Sequence, residues 1–320
     1  MKVAALAGGV GGARLAAGLE DSLQIGGGEL SVVVNTADDF DLWGLRICPD
    51  LDTVMYTLAG LENPDTGWGL AGETFATLEM LASYGEDPWF LLGDRDLATH
   101  LLRAERLWGG AALTEVTADL ARRLGLRSQL LPMSDEPVGT VIHTPEGPLE
   151  FQEYFVRRGQ RDAVLAVEFR GIGEARPTAA VREAVSGAEA VVLCPSNPLV
   201  SLGPILALPG MRELLSEASA PKVAVSPIVG GRALKGPADR MLYSLGHEVS
   251  ATGVARIYGG LVDGMVIDRA DRDERPAIED LGMEVLATDA VMHGPPDRAR
   301  LAEEVLGFAA TLGRAEGGRG

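Results

Sequence analysis

Five aspartates lie within fifteen residues, just after the second predicted strand: Asp38, Asp39, Asp41, Asp50 and Asp52. Carboxylate oxygens are the hard ligands that Mg²⁺ takes, and such an ion bridges the phosphates of a substrate. The acidic loop therefore predicts a magnesium site. The residues alone also allow two structural roles: Asp50 or Asp52 caps the following helix, and Asp38 and Asp39 form an acidic surface turn.

A glycine-rich loop, residues 8–12, follows the first predicted strand and opens a helix that carries Arg14. Glycines let backbone amides approach an anion closely, and the positive end of the helix would face that anion. The loop predicts a phosphate site. It is neither a dinucleotide fingerprint, which needs glycine at Arg14, nor a P-loop, which needs a following Gly-Lys-Ser/Thr. A tight strand-to-helix turn with close packing is the alternative.

The segment LGDRDLATH places polar side chains at a predicted helix start. Asp94 is positioned to cap this helix, Arg95 and Asp96 occupy its first turn, and His100 lies one to two turns further on. Such a start can hold a polar ligand. A surface pair between Arg95 and Asp96 with a satisfied His100 is the alternative.

The turn Ser196-Asn197-Pro198 follows the third predicted strand. Its side-chain donors and helix start suit a base or a phosphate, and an ordinary Asx turn is the alternative. A glycine loop, an acidic loop and two polar helix starts at one sheet edge together favour a nucleotide diphosphate with a divalent ion.

Short apolar runs bounded by turn residues supply the strands that position these loops. They cover residues 2–7, 30–35, 190–194, 222–226 and 264–268. We expect one α/β domain over residues 1–320, with a Rossmann-like, mostly parallel sheet and ligands beyond its carboxyl ends.

Two additions to this sheet are predicted. A helical insertion at about 52–127 holds four helices, at 52–59, 73–84, 95–107 and 114–124, the last with Thr114 as its N-cap. A small antiparallel extension at about 128–170 holds strands at 140–143, 149–156 and 165–170. The glycine-rich tail 314–320 is expected to fray. The apolar insertion favours a homodimer.

Composition limits the classes of function. A formal net charge of −18 argues against a broadly basic surface for nucleic acid. Cys48 and Cys194 are far apart, which fits a reducing compartment and argues against a disulfide framework. The opening apolar stretch is too short for a signal peptide or a membrane span. We therefore expect a cytoplasmic protein without nucleic-acid or membrane partners.

Several blocks of sequence occur in a recognisable order between Lys2 and Leu312: GGVGGAR, VVVNTADDFDLWGLRICPDLDTVMYTLAG, GWGLAGETFATLE, LGDRDLATHLLR, LLPMSDEPVGT, CPSNPLVSLGPILALPGMRELL and VAVSPIVGG. The chain resembles the 2-phospho-L-lactate transferase family, including its phosphoenolpyruvate-transferring members. The resemblance implies transfer of a phospholactyl or phosphoenolpyruvyl group from a guanosine diphosphate-linked donor to the ribityl hydroxyl of the deazaflavin precursor Fo. It further implies release of GMP, assistance by Mg²⁺ and a place in coenzyme F(420) biosynthesis.

The resemblance also implies roles for particular residues. Catalysis and metal binding fall to Asp38, Asp39 and Asp52. Binding of Fo falls to Asp52, Thr53, Asp94, Arg95 and His100. Binding of the nucleotide falls to Gly9, Gly11, Gly12, Arg14, Ser196, Asn197, Pro198, Ser226 and Gly230. A related nucleotide-binding regulator, or a transferase with another acceptor, is the alternative; an NAD-dependent dehydrogenase is disfavoured by the missing third glycine.

Overall fold

The strands of the central sheet are mostly apolar runs whose side chains are buried on both faces, as expected for a sheet covered by helices on each side. The computed structural model describes residues 1–317, with side chains to Arg314. Its strands are β1 (Lys2–Ala7), β2 (Glu29–Val34), β3 (Phe40–Leu42), β4 (Leu45–Ile47), β5 (Gln129–Pro132), β6 (Gly139–Thr144), β7 (Gly147–Glu150), β8 (Ala166–Arg170), β9 (Ala190–Leu193), β10 (Lys222–Val225), β11 (Ile228–Val229), β12 (Arg232–Ala233), β13 (Gly264–Asp268) and β14 (Glu284–Thr288).

Helices connect most of these strands. They are α1 (Gly9–Ile25), α2 (Pro49–Leu58), α3 (Ala76–Ser83), α4 (Asp94–Trp108), α5 (Leu113–Arg123), α6 (Ala179–Ser186), α7 (Leu202–Ala207), α8 (Met211–Glu217), α9 (Ala238–Ser244), α10 (Ala251–Ile257), α11 (Arg275–Glu279) and α12 (Pro295–Gly317), with a π-helix at Glu153–Arg157 and a 3₁₀-helix at Arg269–Glu274. Among residues 1–317, none of these helices is both long and apolar enough to cross a membrane.

Seven parallel strands form the central sheet in the order β14-β13-β10-β9-β1-β2-β5. Numbered by their succession within this sheet, they run 7-6-5-4-1-2-3, which contains the Rossmann order and reverses direction between β1 and β9. The predicted α/β, Rossmann-like fold is confirmed. Ligands of such sheets bind at this reversal, beyond the carboxyl ends of the strands. The sequence did not predict β14.

The extension after α5 differs from its prediction in two places. Gln129–Pro132 joins the central sheet beside β2, and the antiparallel sheet, of order β7-β6-β8, begins only at Gly139. The strand expected at 149–156 ends at Glu150 and gives way to the π-helix. The apolar spacing explains this change, because Phe151 and Phe155, four residues apart, stack at 5.4 Å on one helical face.

The predicted N-cap of α5 is wrong. The helix begins at Leu113, so Thr114 lies inside its first turn. Asp135, from the loop after β5, accepts hydrogen bonds from the Thr114 amide and hydroxyl, each at 2.8 Å. A residue distant in sequence therefore supplies the cap, which local spacing does not reveal.

The final helix packs against the first. Gly18 of α1 lies so close to α12 that a Cβ there would stand 2.2 Å from the Arg298 carbonyl oxygen. Apolar residues of both helices, Leu15 and Leu19 with Leu301 and Val305, share one buried cluster with one face of the sheet. The expected frayed tail from Arg314 is helical to Gly317, and residues 318–320 lie outside the described part of the chain.

Candidate active site at the carboxyl edge of the sheet

Asn35, directly after β2, holds two buried aspartates together. Its amide nitrogen Nδ2 donates to Asp38 Oδ2 at 3.0 Å and to Asp50 Oδ2 at 2.9 Å. Burial and the neighbouring charge of Asp50 raise the pKa of Asp38 well above its usual range. Burial raises the pKa of Asp50 to about 6, against the hydrogen bonds from Asn35 and Gly9. Two adjacent carboxylates out of water favour a bound cation or proton.

Three oxygen atoms of Asp38 and Asp39 are buried without a hydrogen-bond partner in the part of the chain that the structure describes. They are Oδ1 of Asp38 and both oxygens of Asp39, and the nearby Thr36 hydroxyl is also unpartnered. Burial raises the pKa of Asp39 to about 7, although the charge of Arg46 lowers it. Because buried polar atoms are nearly always paired, these oxygens mark a place for a ligand that supplies the missing partner. Their chemistry fits Mg²⁺.

Asp39 also lines a small cavity of about 150 Å³ with Thr36, Arg46, Ser134 and Glu136. The Arg46 Nε lies 4.0 Å from Asp39 Oδ2. This cavity is polar on the strand side and is large enough for several water molecules. Asp39 therefore lies at the wall of a cavity that can hold solvent, and its carboxylate is buried just behind that wall.

The glycine loop packs tightly against the turn after β9. A Cβ at Gly11 would lie 2.4 Å from the Pro195 carbonyl oxygen, and one at Gly12 would lie 2.5 Å from Ser196 Oγ. The Gly9 amide donates to Asp50 Oδ1 at 2.8 Å. Close packing thus accounts for Gly11 and Gly12, and a protein carboxylate occupies the start of α1. Phosphate binding by this loop stays a prediction.

Asp52 belongs to a second, separate network on α2 and α4. Arg103 Nη1 donates to Asp52 Oδ2 at 3.0 Å, and Nη2 donates to Oδ1. His100 Nδ1 lies 3.7 Å from Asp52 Oδ2, and His100 Nε2 lies 3.3 Å from Asp96 Oδ2. The Tyr56 hydroxyl donates to Asp96 Oδ1 at 2.6 Å. Asp52 is therefore held at both oxygens by a guanidinium.

Asp52, Asp96 and His100 also form an Asp–Asp–His cluster that could bind a metal ion. Arg103 competes with that use, because its positive charge contacts both oxygens of Asp52. Among the described residues, no cation lies within hydrogen-bonding distance of Asp38 or Asp39, and Arg46 Nε approaches Asp39 Oδ2 only to 4.0 Å. The geometry consequently favours Asp38 and Asp39 over Asp52 as metal ligands.

Neither Asp50 nor Asp52 caps α2. Cys48 occupies the N-cap position, with Pro49 and Asp50 at the first two helical positions. Thr53 is buried in the same turn, and its carbonyl oxygen accepts a hydrogen bond from the Thr57 hydroxyl at 2.7 Å. In the first turn of α2, Asp50 therefore shares the Asn35 amide with Asp38, and Asp52 contacts Arg103.

Asp94 caps a different helix from the predicted one. Its carboxylate accepts from the amides of Ala76 and Thr77, at 2.9 and 3.0 Å, which begin α3. These bonds and one from the Thr74 hydroxyl lower the pKa of Asp94. The start of α4 is capped instead by Glu73, which accepts from the amides of Arg95 and Asp96 at 2.9 and 2.8 Å.

This exchange of caps fixes residues 73–77 to the beginning of α4. The Arg95 guanidinium also bonds that segment, through the Ala71 carbonyl at 2.5 Å. Asp94 and Arg95 therefore bond the start of α3 and the segment before it, whereas Asp96 and His100, further along α4, belong to the Asp52 network. Their predicted contacts with the acceptor stay predictions.

The two loops expected to hold the nucleotide are braced by internal bonds. Asn197 Oδ1 accepts from the Leu199 amide at 2.9 Å, which is the Asx turn considered as an alternative, and Pro198 lies inside that turn. Ser226 Oγ accepts from the Ile228 amide at 3.1 Å. The Gly230 amide donates to Asp271 at 2.9 Å.

Sequence reasoning missed three residues that organise the site. Asn35 ends the predicted second strand, and nothing in its spacing marks it as a bridge between carboxylates. Arg103 had a usable signal, because Asp96, His100 and Arg103 follow an i, i+4, i+7 stripe on one helix face. Glu73 precedes its partner helix by many residues, so only the fold reveals it.

Comparison with known proteins identifies relatives along almost the whole chain. Residues 3–292 match the family described as 2-phospho-L-lactate transferase CofD. A phosphoenolpyruvate transferase of Streptomyces griseus is 43% identical over 315 residues, covering 97% of this chain and 98% of the relative. A 2-phospho-L-lactate transferase of Methanosarcina acetivorans is 41% identical over 307 residues, covering 96% and 99%.

A solved structure shares the fold. It is a protein of the UPF0052 family from Bacillus halodurans, with a TM-score of 0.66 and 16% identity over 95% of this chain and 98% of its own. So low an identity supports the architecture alone. The family match and the curated relatives go further: this chain is a transferase that belongs to the 2-phospho-L-lactate transferase family.

Proposed function

We propose that the protein transfers a phospholactyl or phosphoenolpyruvyl group from a guanosine diphosphate-linked donor to the ribityl hydroxyl of Fo. The products are GMP and a phosphodiester on the deazaflavin, a step of coenzyme F(420) biosynthesis. Family membership supports the type of group transferred. The single structural observation that carries the proposal is the pair Asp38 and Asp39 at the carboxyl edge of the sheet, because three of their four carboxylate oxygens are buried without a hydrogen-bond partner among the described residues.

Asp38 and Asp39 would hold Mg²⁺, which supplies charge neutralisation at the transferred phosphate. Asp50 and Asn35 position Asp38, since Asn35 bonds both carboxylates. The remaining requirement of phosphoryl transfer is alignment of the attacking hydroxyl with the leaving group. The buried hydrogen bonds from Asn35 hold Asp38 and Asp50 in fixed positions, which favours a constant alignment of the reacting groups.

The acceptor is assigned to the side of α2 and α4. Asp52 is held by Arg103 and flanked by His100, so the orientation of its carboxylate beside the proposed acceptor is fixed. Thr53, Asp94 and Arg95 would complete the contacts with Fo. The nucleotide is assigned to the opposite loops, which hold Gly9, Arg14, Ser196, Asn197, Ser226 and Gly230.

The curated relatives carry two names that differ in the donor, at 43% and 41% identity. Because these two identities are nearly equal, they do not indicate which of the two donors this protein uses. The test is to incubate the protein with Fo, Mg²⁺ and each guanylylated donor, and to follow GMP release and product mass. We expect one donor to give a deazaflavin product of the corresponding mass. If none of the donors gives a product, the proposed function is refuted.

A homodimer is also proposed, from apolar side chains exposed on the insertion. Met80 and Tyr84 lie on or beside α3, and Leu101 and Trp108 lie on α4; their exposed fractions range from 54% to 78%. Large exposed apolar side chains of this kind are common at protein interfaces. Light scattering should give twice the chain mass, and Leu101→Glu should give the monomer mass. A monomeric wild-type protein would exclude the dimer.

A further inference from the structure

Two cations converge on a glycine turn beside the start of α1. Gly67 has a φ of 76°, and a Cβ built on it would lie 3.3 Å from Lys235 Nζ and 3.5 Å from Arg14 Nη2. Lys235 comes from the loop between β12 and α9, and its Nζ donates to the Thr66 carbonyl at 2.7 Å. Arg14 is anchored by a bond of 3.0 Å from Nη1 to the Met292 carbonyl. Both cations are therefore held in place by backbone carbonyls.

No carboxylate of the described residues lies within 4.0 Å of either cation. Burial and the charge of Arg14 lower the pKa of Lys235, and burial and the charge of Arg298 lower that of Arg14. Arg298 itself bonds Glu62 at 3.0 Å. A surplus of positive charge is thus fixed locally in a chain of net charge −18. Like charges held together favour a bound anion.

Arg14 and Lys235 lie next to the glycine-rich loop, residues 8–12. Val10, in the first turn of α1, contacts the Gly67 turn, and its Cγ1 would lie 2.7 Å from a Cβ there. Arg14 follows Val10 by one helical turn on the same face. The first amide of α1 is already occupied by Asp50. An anionic ligand near this loop would therefore meet the two side-chain cations on the flank of the helix.

We propose that Arg14 and Lys235 bind a diphosphate, with the turn at Gly67 as the floor of the site. The proposal rests on the function proposed above in taking that diphosphate to be the one in the donor. The guanidinium offers two parallel N–H groups for one phosphate, and the ammonium offers a point charge for the other. Glycine at position 67 keeps the floor free of a side chain that would crowd both cations.

Calorimetric titration with sodium pyrophosphate in metal-free buffer tests the site without any need for guanine recognition. Lys235→Gln should weaken binding by about tenfold or more, as expected for loss of a charged hydrogen bond. Lys235→Arg, which restores the charge, should bind within a few-fold of wild type. Lys2→Gln is the matched control, because Lys2 begins β1 at the opposite edge of the sheet and pairs with Glu29.

Steady-state kinetics separates this site from the proposed function. Lys235→Gln should raise KM for the donor and leave KM for Fo unchanged. Pyrophosphate binding that is lost in Lys235→Gln, in a protein with no transfer activity, would support the anion site and refute the proposed function. Transfer activity with equal pyrophosphate binding by wild type and Lys235→Gln would refute the anion site, as would a wild type that binds no pyrophosphate.

Discussion

The Asp50 carboxylate accepts a 2.8 Å hydrogen bond from the amide of Gly9, the first residue of α1. The same carboxylate accepts from Asn35, which also binds Asp38. A helix N-terminus stabilises a negative charge, so α1 helps to keep Asp50 ionised beside a second carboxylate. The position of α1 therefore affects the geometry of the two neighbouring carboxylates, Asp38 and Asp50.

Gly8→Ala tests that link. A Cβ at Gly8 would lie 2.5 Å from Asp50 Oδ2 and 2.8 Å from Ser201 Cβ, so Asp50 must move. We expect kcat for transfer to fall by about tenfold or more, since small displacements at a reacting centre have large effects. Gly307→Ala is the control, because Gly307 lies in α12 with open space around its Cα. Wild-type kcat in Gly8→Ala would contradict the link.

Asp39→Asn should stabilise the metal-free protein while abolishing transfer. Burial raises the pKa of Asp39 from 3.8 to about 7, so the folded state binds more protons than the unfolded state between these values. Stability conferred by the protonated side chain is complete below about pH 4 and is lost as the pH rises towards 7, by about 1.4 kcal/mol per pKa unit.

The measurement is the thermal midpoint of wild type and Asp39→Asn in EDTA between pH 5 and pH 8. The advantage of the variant should widen from pH 5 to about pH 7 and then level off, because asparagine does not titrate. A constant difference across this range would show that Asp39 ionises normally in the fold.

Asp52→Asn should destabilise the protein through Arg103 as well as lowering activity. Removing one partner of a buried ion pair leaves an unpaired buried charge and costs about 3–5 kcal/mol. The double variant Asp52→Asn with Arg103→Met should recover much of that loss, as measured by urea denaturation. If the double variant regains stability and not turnover, Asp52 acts on the substrate; if turnover returns, its role is structural.

The exchanged caps predict a crossed pattern of hydrogen exchange. Asp94→Ala should accelerate exchange of the Ala76 and Thr77 amides in α3, and Glu73→Ala should accelerate exchange of the Arg95 and Asp96 amides in α4. Each change then loosens the helix that does not contain the altered residue. Acceleration confined to the mutated segment would contradict this arrangement.

Much of the fold could be predicted from the sequence because most strands of the central sheet are almost fully buried. Runs such as VVVN and AVVLC are apolar without alternation, which is typical of a parallel sheet covered on both faces. Gln129–Pro132 was misplaced because so short a run carries no information about its pairing partner. The π-helix after β7 was missed because a run of aromatic and β-branched residues also favours a strand.

For the candidate site, the sequence predicts a region and does not predict which residues contact one another. Asp38 and Asp39 lie where the loop after β2 predicts them, with unpaired oxygens that suit an ion. The functions of Asp50 and Asp52 diverge because neighbouring positions on a helix point in different directions, towards Gly9 in one case and Arg103 in the other. Contacts between residues far apart in sequence decide that division, and spacing alone contains no record of them.

The close crossing of α1 and α12 at Gly18 and Arg298 has a consequence for synthesis. During translation, the nascent chain completes α1 at Ile25, whereas α12, the helix that covers its flank, begins only at Pro295. Until α12 emerges from the ribosome, Leu15 and Leu19 lack part of their final packing surface. A chain that terminates prematurely before α12 should therefore be captured by chaperones or degraded by proteases.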